Sequence, residues 1–398
     1  MSPRQYSDWL QAYIRYASVS EAPRYMHFWA GVSAIAGALR RRVWFSMGHF
    51  SWEPNFYIIF VAPPGVVAKS TTSGIAMNLL KKVPGIKFGP NIVTWPALVE
   101  KFAESREAFE YKTDFIEMCS LTLESSEFGN LVDPQDKRMI DLLVHLWDGQ
   151  PGEFSKATKS SGEDQIVNPW INLIACTTPA WIADNFPEYM IGGGFTSRCV
   201  FVYAEKKERL VAYPFLEMKY NKVEEETKLV EDLIRISEMI GEFTLEEDAL
   251  TWGQQWYEEH WRSKPANLDD ERFGGYLSRK QSHLHKLAMI LSASEASTLR
   301  ISKSNLMTAN MMISDLEKDM VNVFSKIGKS STSVQVDRLI DYVNRRGEAP
   351  YKEVYQFAHM YFPSARDFED VMLGCIKSGQ LKLIQKNGQP MICAVVGD

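Results

Sequence analysis

Between Asn55 and Tyr203, short runs of apolar residues alternate with stretches whose apolar positions recur at helical spacing. This alternation is typical of an α/β fold built around a mostly parallel sheet. We therefore expect an α/β core domain over residues 51–215. The runs that predict its buried strands are Phe56–Val61, Ser120–Leu123, Ile171–Ala175 and Cys199–Tyr203.

The regions on either side of this core have different patterns. Residues 1–50 show helical spacing and predict an N-terminal helical region. Residues 216–328 are charge-rich and predict a helical lid region. Gly328 and the five polar residues that follow it are typical of a linker.

Residues 334–398 predict a separate domain. Three stretches of helical apolar spacing cover Val336–Asn344, Tyr351–Tyr361 and Asp367–Ser378. Two short apolar runs follow, and the Asn387-Gly388 pair between them is a strong signal for a β-hairpin. Three helices followed by a hairpin predict a winged-helix domain.

Composition narrows the class of protein. The 45% hydrophobic and 24% charged content is that of an ordinary globular protein. The sequence has no continuous apolar run long enough to predict a membrane span. The first residues lack the apolar core of a secretory signal, and the five cysteines form no C-x-x-C pair. We therefore expect a protein of the cytoplasm, with no membrane partner.

The net charge of −6 bears on nucleic-acid binding. It argues against a surface coated with basic residues for duplex DNA. It leaves open a ring-shaped enzyme that keeps its basic residues on a few inner loops.

The segment after the first predicted strand resembles a phosphate-binding loop. Strand, loop and helix follow each other there, so backbone N–H groups of the loop and of the helix terminus form a site for anions. A lysine in such a loop contacts the outer phosphates, and the hydroxyl after it ligates Mg²⁺. The predicted nucleotide-binding residues are Pro64, Gly65, Val66, Val67, Ala68, Lys69, Ser70 and Thr71.

This loop departs from the usual G-x-x-x-x-G-K-[ST] pattern. Pro63 stands at the first glycine position and Ala68 at the second, which leaves Gly65 as the one glycine of the loop. A position that requires positive φ directly before Lys69 would therefore be strained. The alternative is an ordinary strand–turn–helix with a solvated lysine.

Acidic residues follow the second predicted strand. Glu127 fits the position of a catalytic residue that activates the attacking water, and Ser126 stands where a metal-associated aspartate is usual. Glu124 supplies the missing charge, so the predicted metal ligands are Ser70, Glu127 and Glu124. The alternative is that these carboxylates only solvate the end of the strand.

Two features follow along the chain. Phe154–Gln165 has a polar tip with a glycine and predicts a β-hairpin, whose Lys156 and Lys159 are candidates for contacts to single-strand phosphates. The next apolar run ends at Thr177. The hydroxyl of Thr177 is suited to sensing the γ-phosphate if its strand lies between the phosphate loop and the acidic strand. A solvated loop and an ordinary strand exit are the respective alternatives.

The last candidates are basic. Arg198 precedes a buried strand after a run of glycines, so it is a candidate finger toward the γ-phosphate of a neighbouring subunit, or else a cap or ion pair. Further on, Arg279, His283 and Lys286 share one helix face, which predicts a lid with Arg279 and Lys286 over the nucleotide. His283 and His285 lack the further ligands of a metal site.

Together these residues resemble a family of phage, prophage and mobile-element replication ATPases, helicase-like or primase-helicase-like, most of which are classified only as a domain of unknown function. The resemblance covers roughly residues 20–325. Its most specific segments are His27–Gly31, Trp52–Phe56, Pro63–Thr71, Ser126–Gly129, Trp147-Asp148, Ala175–Pro179 and Gly193–Arg198.

This resemblance implies a RecA- or AAA+-like P-loop ATPase core that forms a ring on DNA. It implies that Lys69 and Ser70 bind phosphate and magnesium, that Glu127 activates water, and that Arg198 acts in trans. The expected cofactors are ATP and Mg²⁺. Relatives often have a glycine or an arginine before the lysine, so Ala68 departs from the family pattern.

The function expected from these features is a replicative DNA helicase of a phage or mobile element, acting in the cytoplasm of a bacterial host. It would act as a homo-oligomer, predicted to be a hexamer, with single-stranded DNA in the central pore. The winged helix would bind duplex DNA or recruit a replication protein. The alternatives are a non-helicase nucleotide switch, such as a loader, a transposition regulator or a defence ATPase, and a degenerate nucleotide-binding scaffold.

Overall fold

The structure is a computed structural model that describes residues 4–150, 152–158, 162–187, 190, 192–263, 268–324, 331–362, 364–386 and 388–395. The chain divides into two compact units, Met1–Ile327 and Gly328–Asp398. The boundary between them falls at the predicted linker. Each unit has its own hydrophobic core.

The first unit combines helices and strands, as expected for an α/β protein. Its described helices are α1 Trp9–Ala17, α2 Arg24–Leu39, α3 Lys69–Leu80, α4 Trp95–Glu104, α5 Phe128–Leu131, α6 Lys137–Asp148, α7 Pro179–Asn185, α8 Pro214–Glu217, α9 Lys222–Ser237, α10 Glu247–Arg262, α11 Gly274–Glu295 and α12 Lys303–Phe324. Its described strands are β1 Val43–Ser46, β2 Ser51–Trp52, β3 Tyr57–Val61, β4 Arg106–Tyr111, β5 Asp114–Ser125, β6 Glu153–Thr158, β7 Gly162–Val167, β8 Pro169–Thr177, β9 Cys199–Tyr203, β10 Gly241–Leu245 and β11 Arg300–Ile301.

A five-stranded sheet forms the centre of this unit, with the order β4-β5-β8-β3-β9. Strands β5, β8, β3 and β9 are mutually parallel, and β4 pairs antiparallel at the edge. Every residue of β3 and β8 is buried, as expected for central strands covered on both faces. The four strands predicted from the sequence are confirmed, and their carboxyl ends meet at one edge of the sheet.

Helix α2 packs against this sheet and is buried over almost its whole length. Small residues allow the close approach: a Cβ at Gly37 would collide with the side chain of Leu80 on α3, and one at Gly31 would lie 2.5 Å from Leu10. The ring of Trp29 meets that of Phe56 edge-on, with centroids 6.1 Å apart. The N-terminal helices therefore belong to the core of the first unit.

A second sheet corrects the prediction that residues 216–328 are helical throughout. Its order is β11-β10-β1-β2, and β10 pairs parallel with β1, with Gly241 opposite Val43. This pairing joins the predicted lid region to the N-terminal region. The sequence pattern did not reveal it because two of the four strands have only two residues and the partners are far apart in the chain.

The hairpin predicted around residues 154–165 is confirmed by the pairing of β6 with β7, in which Lys156 lies opposite Asp164. Lys159 lies outside the described residues. The hairpin leads directly into β8, which begins at Pro169. It therefore starts at the amino-terminal edge of the central sheet.

The second unit contains the three predicted helices and the predicted hairpin. Its order is α13 Ser331–Arg346, β12 Glu348–Pro350, α14 Tyr351–Ala358, α15 Ala365–Lys377, β13 Leu381–Lys386 and β14 Gln389–Ala394. Strand β12, which the sequence pattern did not predict, pairs antiparallel with β14, so the sheet order is β12-β14-β13. Across the described parts of both units, no helix has both the length and the apolar character needed to cross a membrane.

Candidate functional site

The loop between β3 and α3 has one backbone position that favours glycine. Gly65 has a φ of 69°, in the left-handed region, and a Cβ added there would meet no atom within 4 Å. Ala68, by contrast, has a φ of −76° and a ψ of 66°. Alanine before Lys69 is therefore not strained, and the strain expected from the missing glycine does not arise.

The amino terminus of α3 is open to solvent and uncapped. Ala68 is the N-cap residue and has no side chain that accepts a hydrogen bond. The first N–H groups of a helix lack intrahelical partners, and the helix dipole places partial positive charge there. Ser70 and Thr71 are exposed in this first turn. An anion at this terminus would find both free donors and a favourable field.

The side chain of Lys69 lies across the loop. Its Nζ donates a hydrogen bond of 2.8 Å to the carbonyl oxygen of Ala62. Burial lowers the pKa of Lys69, an effect opposed by the nearby Cys176 and Glu127. The ammonium group is thus held by neutral acceptors, which the more strongly attracting oxygens of a phosphate group can replace.

Glu127 and Thr177 lie at the same edge of the sheet as Lys69. Glu127 is exposed, two residues beyond the end of β5, and is close enough to Lys69 for their charges to interact. Thr177 ends β8, lies opposite Val61 and is buried. Because β8 lies between β3 and β5, the strand of Thr177 separates the loop from the acidic strand, which is the arrangement that a role for Thr177 requires.

Glu124, predicted as a metal ligand, has a partner within the chain. Its carboxylate lies 2.6 Å from the Nζ of Lys81, near the carboxyl end of α3. The ion pair competes with a metal for this carboxylate. Over the part of the chain that the structure describes, no group of three or more His, Cys, Asp or Glu side chains is placed to hold a metal ion.

A cavity of about 300 Å³ opens beside the first turns of α3. Thr71, Ile75 and Asn78 line it from α3, and Tyr16 and Tyr220 line it from the other side. The two tyrosine rings have centroids 5.7 Å apart, and the Tyr220 hydroxyl donates to the carbonyl oxygen of Tyr16. No local pattern of residues predicted this cavity, because three distant segments of the chain form it.

Arg198 is buried at the opposite, amino-terminal edge of the sheet, directly before β9. Its Nε and Nη2 donate to the two carboxylate oxygens of Asp148, at 3.0 and 2.5 Å, and its Nη1 donates to the carbonyl oxygen of Gly194. The guanidinium also lies over the ring of Trp147. All these contacts are within one chain, so a role in a neighbouring subunit requires Arg198 to leave Asp148.

The predicted lid is corrected by the structure. Helix α11 is a core helix, and Lys286 is only 2% exposed. Its Nζ donates to the Oδ1 of Asn55 at 2.6 Å and lies 3.5 Å above the ring of Trp147. Asn55 precedes β3, whereas the phosphate loop follows it. Lys286 and the half-buried Arg279 therefore do not cover the loop of their own chain.

Burial governs the ionisation of this helix face. It lowers the pKa of Lys286 to about 7 and that of His283 to about 3. His283 is hydrogen-bonded at 3.1 Å to the carbonyl oxygen of Ser197, which holds the turn that carries Arg198. These side chains stabilise the amino-terminal edge of the sheet.

Replacing Ala68 by aspartate is expected to raise stability and to weaken anion binding. A carboxylate at the N-cap accepts the free N–H groups of α3 and stabilises the fold by about 1 kcal/mol. The same carboxylate occupies and repels the anion site, so affinity for inorganic triphosphate should fall at least roughly tenfold. Chemical denaturation and calorimetric titration measure the two effects.

Ala68→Asn is the matched control for this substitution. It supplies a cap of nearly the same shape without the charge, so it should stabilise the fold equally and weaken binding less. Equal triphosphate affinity in the wild type and both variants would show that this helix terminus is not the anion site.

Comparisons with known proteins identify no relative: no protein-family model matches the chain, and no curated protein matches it in sequence. A functional assignment for this chain therefore rests on the geometry of the site itself.

Proposed function

We propose that this chain is a P-loop ATPase that binds the phosphates of ATP at the loop between β3 and α3. The observation that carries this proposal is the open, uncapped terminus of α3 beside Lys69. Glu127 and Thr177, at the ends of the two parallel strands next to β3 on one side, support it. An acidic residue and a hydroxyl at this edge are what phosphoryl transfer to water requires.

The residues present fit ATP with Mg²⁺. Backbone N–H groups from Gly65 to Thr71 and the ammonium of Lys69 would hold the phosphates. The exposed hydroxyl of Ser70 would ligate Mg²⁺, which keeps most of its ligands as phosphate oxygens and waters and needs few from the protein. Glu127 would orient the attacking water, and Thr177 would contact the terminal phosphate.

The cavity beside α3 supports a nucleotide over a free phosphate chain. Its lining includes Thr71, a residue of the proposed phosphate site, and the side chains of Tyr16 and Tyr220. Aromatic faces bind nucleobases by stacking. The exposed amide of Asn78 offers both a donor and an acceptor to the edge of a base.

Two features support DNA as the polymer on which this ATPase acts. The β6–β7 hairpin carries Lys156, and the second unit has three helices and a hairpin in winged-helix order. We therefore extend the proposal to a replicative helicase of a phage or mobile element. It would act as a hexameric ring around single-stranded DNA, with Arg198 available to a neighbouring subunit after release from Asp148.

A second candidate function is a nucleotide switch without unwinding activity. The contacts of Arg198 favour this switch, because an arginine held by Asp148 of its own chain does not assist ATP hydrolysis in a neighbouring subunit. A switch would hydrolyse ATP slowly and without stimulation by DNA. The helicase should hydrolyse ATP faster when single-stranded DNA is present.

Turnover of purified protein, with and without single-stranded DNA, tests the proposal. Glu127→Gln is expected to lower kcat by at least about 100-fold, the usual contribution of a group that accepts a proton from water, while ATP binding is retained. Glu124→Gln is the matched control and should have a smaller effect, because Glu124 is paired with Lys81. Unchanged turnover in Glu127→Gln, or no ATP binding by the wild type, would contradict the assignment.

A further inference from the structure

A groove follows the amino-terminal edge of the central sheet, opposite the phosphate loop. It consists of two adjoining cavities of about 410 and 370 Å³. We call it the amino-edge groove. The lining residues common to both cavities are Phe50, Ser51, Glu53, Asp148 and Gln150. Because β6 begins at Glu153, the groove lies at the base of the β6–β7 hairpin.

The charged residues of the groove leave an excess of positive charge. Glu53 is paired with Arg41, at 3.2 Å, and Asp148 is paired with Arg198. Arg279 also lines the groove, is half-buried, and forms no salt bridge with any described residue. In a chain of net charge −6 this local excess favours an anionic ligand.

Aromatic rings form one wall of the groove. The side chain of Phe50 is 51% exposed, and its ring centroid lies 5.8 Å from that of the half-buried Trp52. Trp44 lines the first cavity in addition. An aromatic face open to solvent suits the stacking of a planar ligand.

Polar groups are also available in the groove. Gln150 and Ser278 are exposed there. The buried indole N–H of Trp147, in the wall of the second cavity, has no acceptor among the described residues. Such a donor is costly to leave unpaired.

We propose that the amino-edge groove binds a single strand of nucleic acid, with bases stacked on Phe50 and Trp52 and phosphates beside Arg279. Rings for the bases, uncompensated cations for the phosphates and amides or hydroxyls for the base edges are the components of single-strand sites. The proposal rests on the proposed DNA-dependent function and assigns the residues that hold the strand next to the hairpin.

Binding of a labelled single-stranded oligonucleotide, measured by fluorescence anisotropy without ATP, tests this inference. Phe50→Ala should weaken binding about tenfold through the loss of one stacked base. Arg279→Ala should weaken it by a similar factor and lower the slope of affinity against salt by about one. Trp52→Phe should keep the affinity and remove part of the quenching of tryptophan fluorescence by the strand.

Matched controls are available on other faces of the first unit. Trp261→Ala removes a ring that is 52% exposed, close to the exposure of Phe50, and Arg300→Ala removes an exposed arginine. Neither should change the affinity. Thermal denaturation of each variant shows that folding is retained, which is expected because Phe50 lies at the surface.

The outcomes separate this inference from the ATPase assignment. Affinity unchanged in both Phe50→Ala and Arg279→Ala, with binding lost only when Lys156 is replaced, would overturn the groove and leave the strand on the hairpin. Failure of the wild type to bind the oligonucleotide would overturn it as well. The ATPase proposal is judged independently, by ATP binding in the absence of any nucleic acid.

Discussion

Lys69→Ala is expected to weaken ATP binding and to lower turnover by at least about 100-fold, the loss typical when a charged donor to a transferring phosphate is removed. The ammonium of Lys69 donates to the carbonyl oxygens of Ala62, at 2.8 Å, and Pro63, at 3.5 Å. It lies in a half-buried position where burial lowers its pKa. A bound phosphate group would favour the charged form of Lys69, and the charge-assisted hydrogen bond between them would contribute to ATP affinity.

Titration of ATP into the wild type and the variant, followed by steady-state turnover, measures this effect. Lys101→Ala is a suitable control, because Lys101 is an exposed lysine whose ion pair with Glu104 lies on the surface of α4. Little change is expected there, since exposed ion pairs contribute little. Near-normal ATP affinity in Lys69→Ala would show that this loop does not bind the phosphates of ATP.

The central sheet could be predicted because its strands are short continuous apolar runs, as central parallel strands require. The position of β8 between β3 and β5 is a condition for the proposed role of Thr177 rather than a prediction, and the structure meets that condition. The second sheet could not be predicted. Pairing of Val43 with Gly241 joins residues almost 200 positions apart, and nothing in the local pattern of either segment identifies the other as its partner.

Helix α11 shows why charge patterns are misleading about exposure. A stripe of cationic and histidine side chains predicts a solvated face, because lysine is rarely buried. Lys286 is buried because Asn55 accepts its hydrogen bond and the ring of Trp147 covers its ammonium at 3.5 Å. Both partners come from distant parts of the chain, so only the three-dimensional structure reveals them.

The phosphate loop shows the opposite case. The strand, loop and helix predicted for this segment are confirmed, although two glycines of the usual phosphate-loop pattern are missing. Their absence causes no backbone strain, because the left-handed position is Gly65 and Ala68 has negative φ. The position of a glycine within a loop depends on its backbone path, which a pattern of letters does not specify.

Acidification from pH 7 to pH 5 is expected to destabilise the first unit by several kcal/mol. Burial lowers the pKa of His283 to about 3, and the pKa values of His285 and His27 to about 4. All three are therefore neutral in the folded protein at pH 5. In the unfolded chain they have an ordinary pKa of about 6.5 and take up protons below it.

The direction follows from which state binds more protons. Below pH 6.5 the unfolded state binds more protons. The free energy of unfolding therefore falls as the pH is lowered, until the pH reaches the pKa values of the folded state. At pH 5 each histidine lowers the free energy of unfolding by about 2 kcal/mol, because pH 5 lies about 1.5 pH units below 6.5 and each unit corresponds to about 1.4 kcal/mol. Above pH 6.5 this contribution to stability is fully present.

His285→Phe isolates one of these contributions. His285 stacks on Phe45, with ring centroids 5.3 Å apart, so phenylalanine preserves the packing and removes the titrating group. Its free energy of unfolding, measured by chemical denaturation at several pH values, should fall about 2 kcal/mol less than that of the wild type between pH 7 and pH 5. If the stability of His285→Phe fell with pH as much as that of the wild type, His285 would not resist protonation in the folded state. A group with the same pKa in the folded and unfolded states makes stability no more dependent on pH.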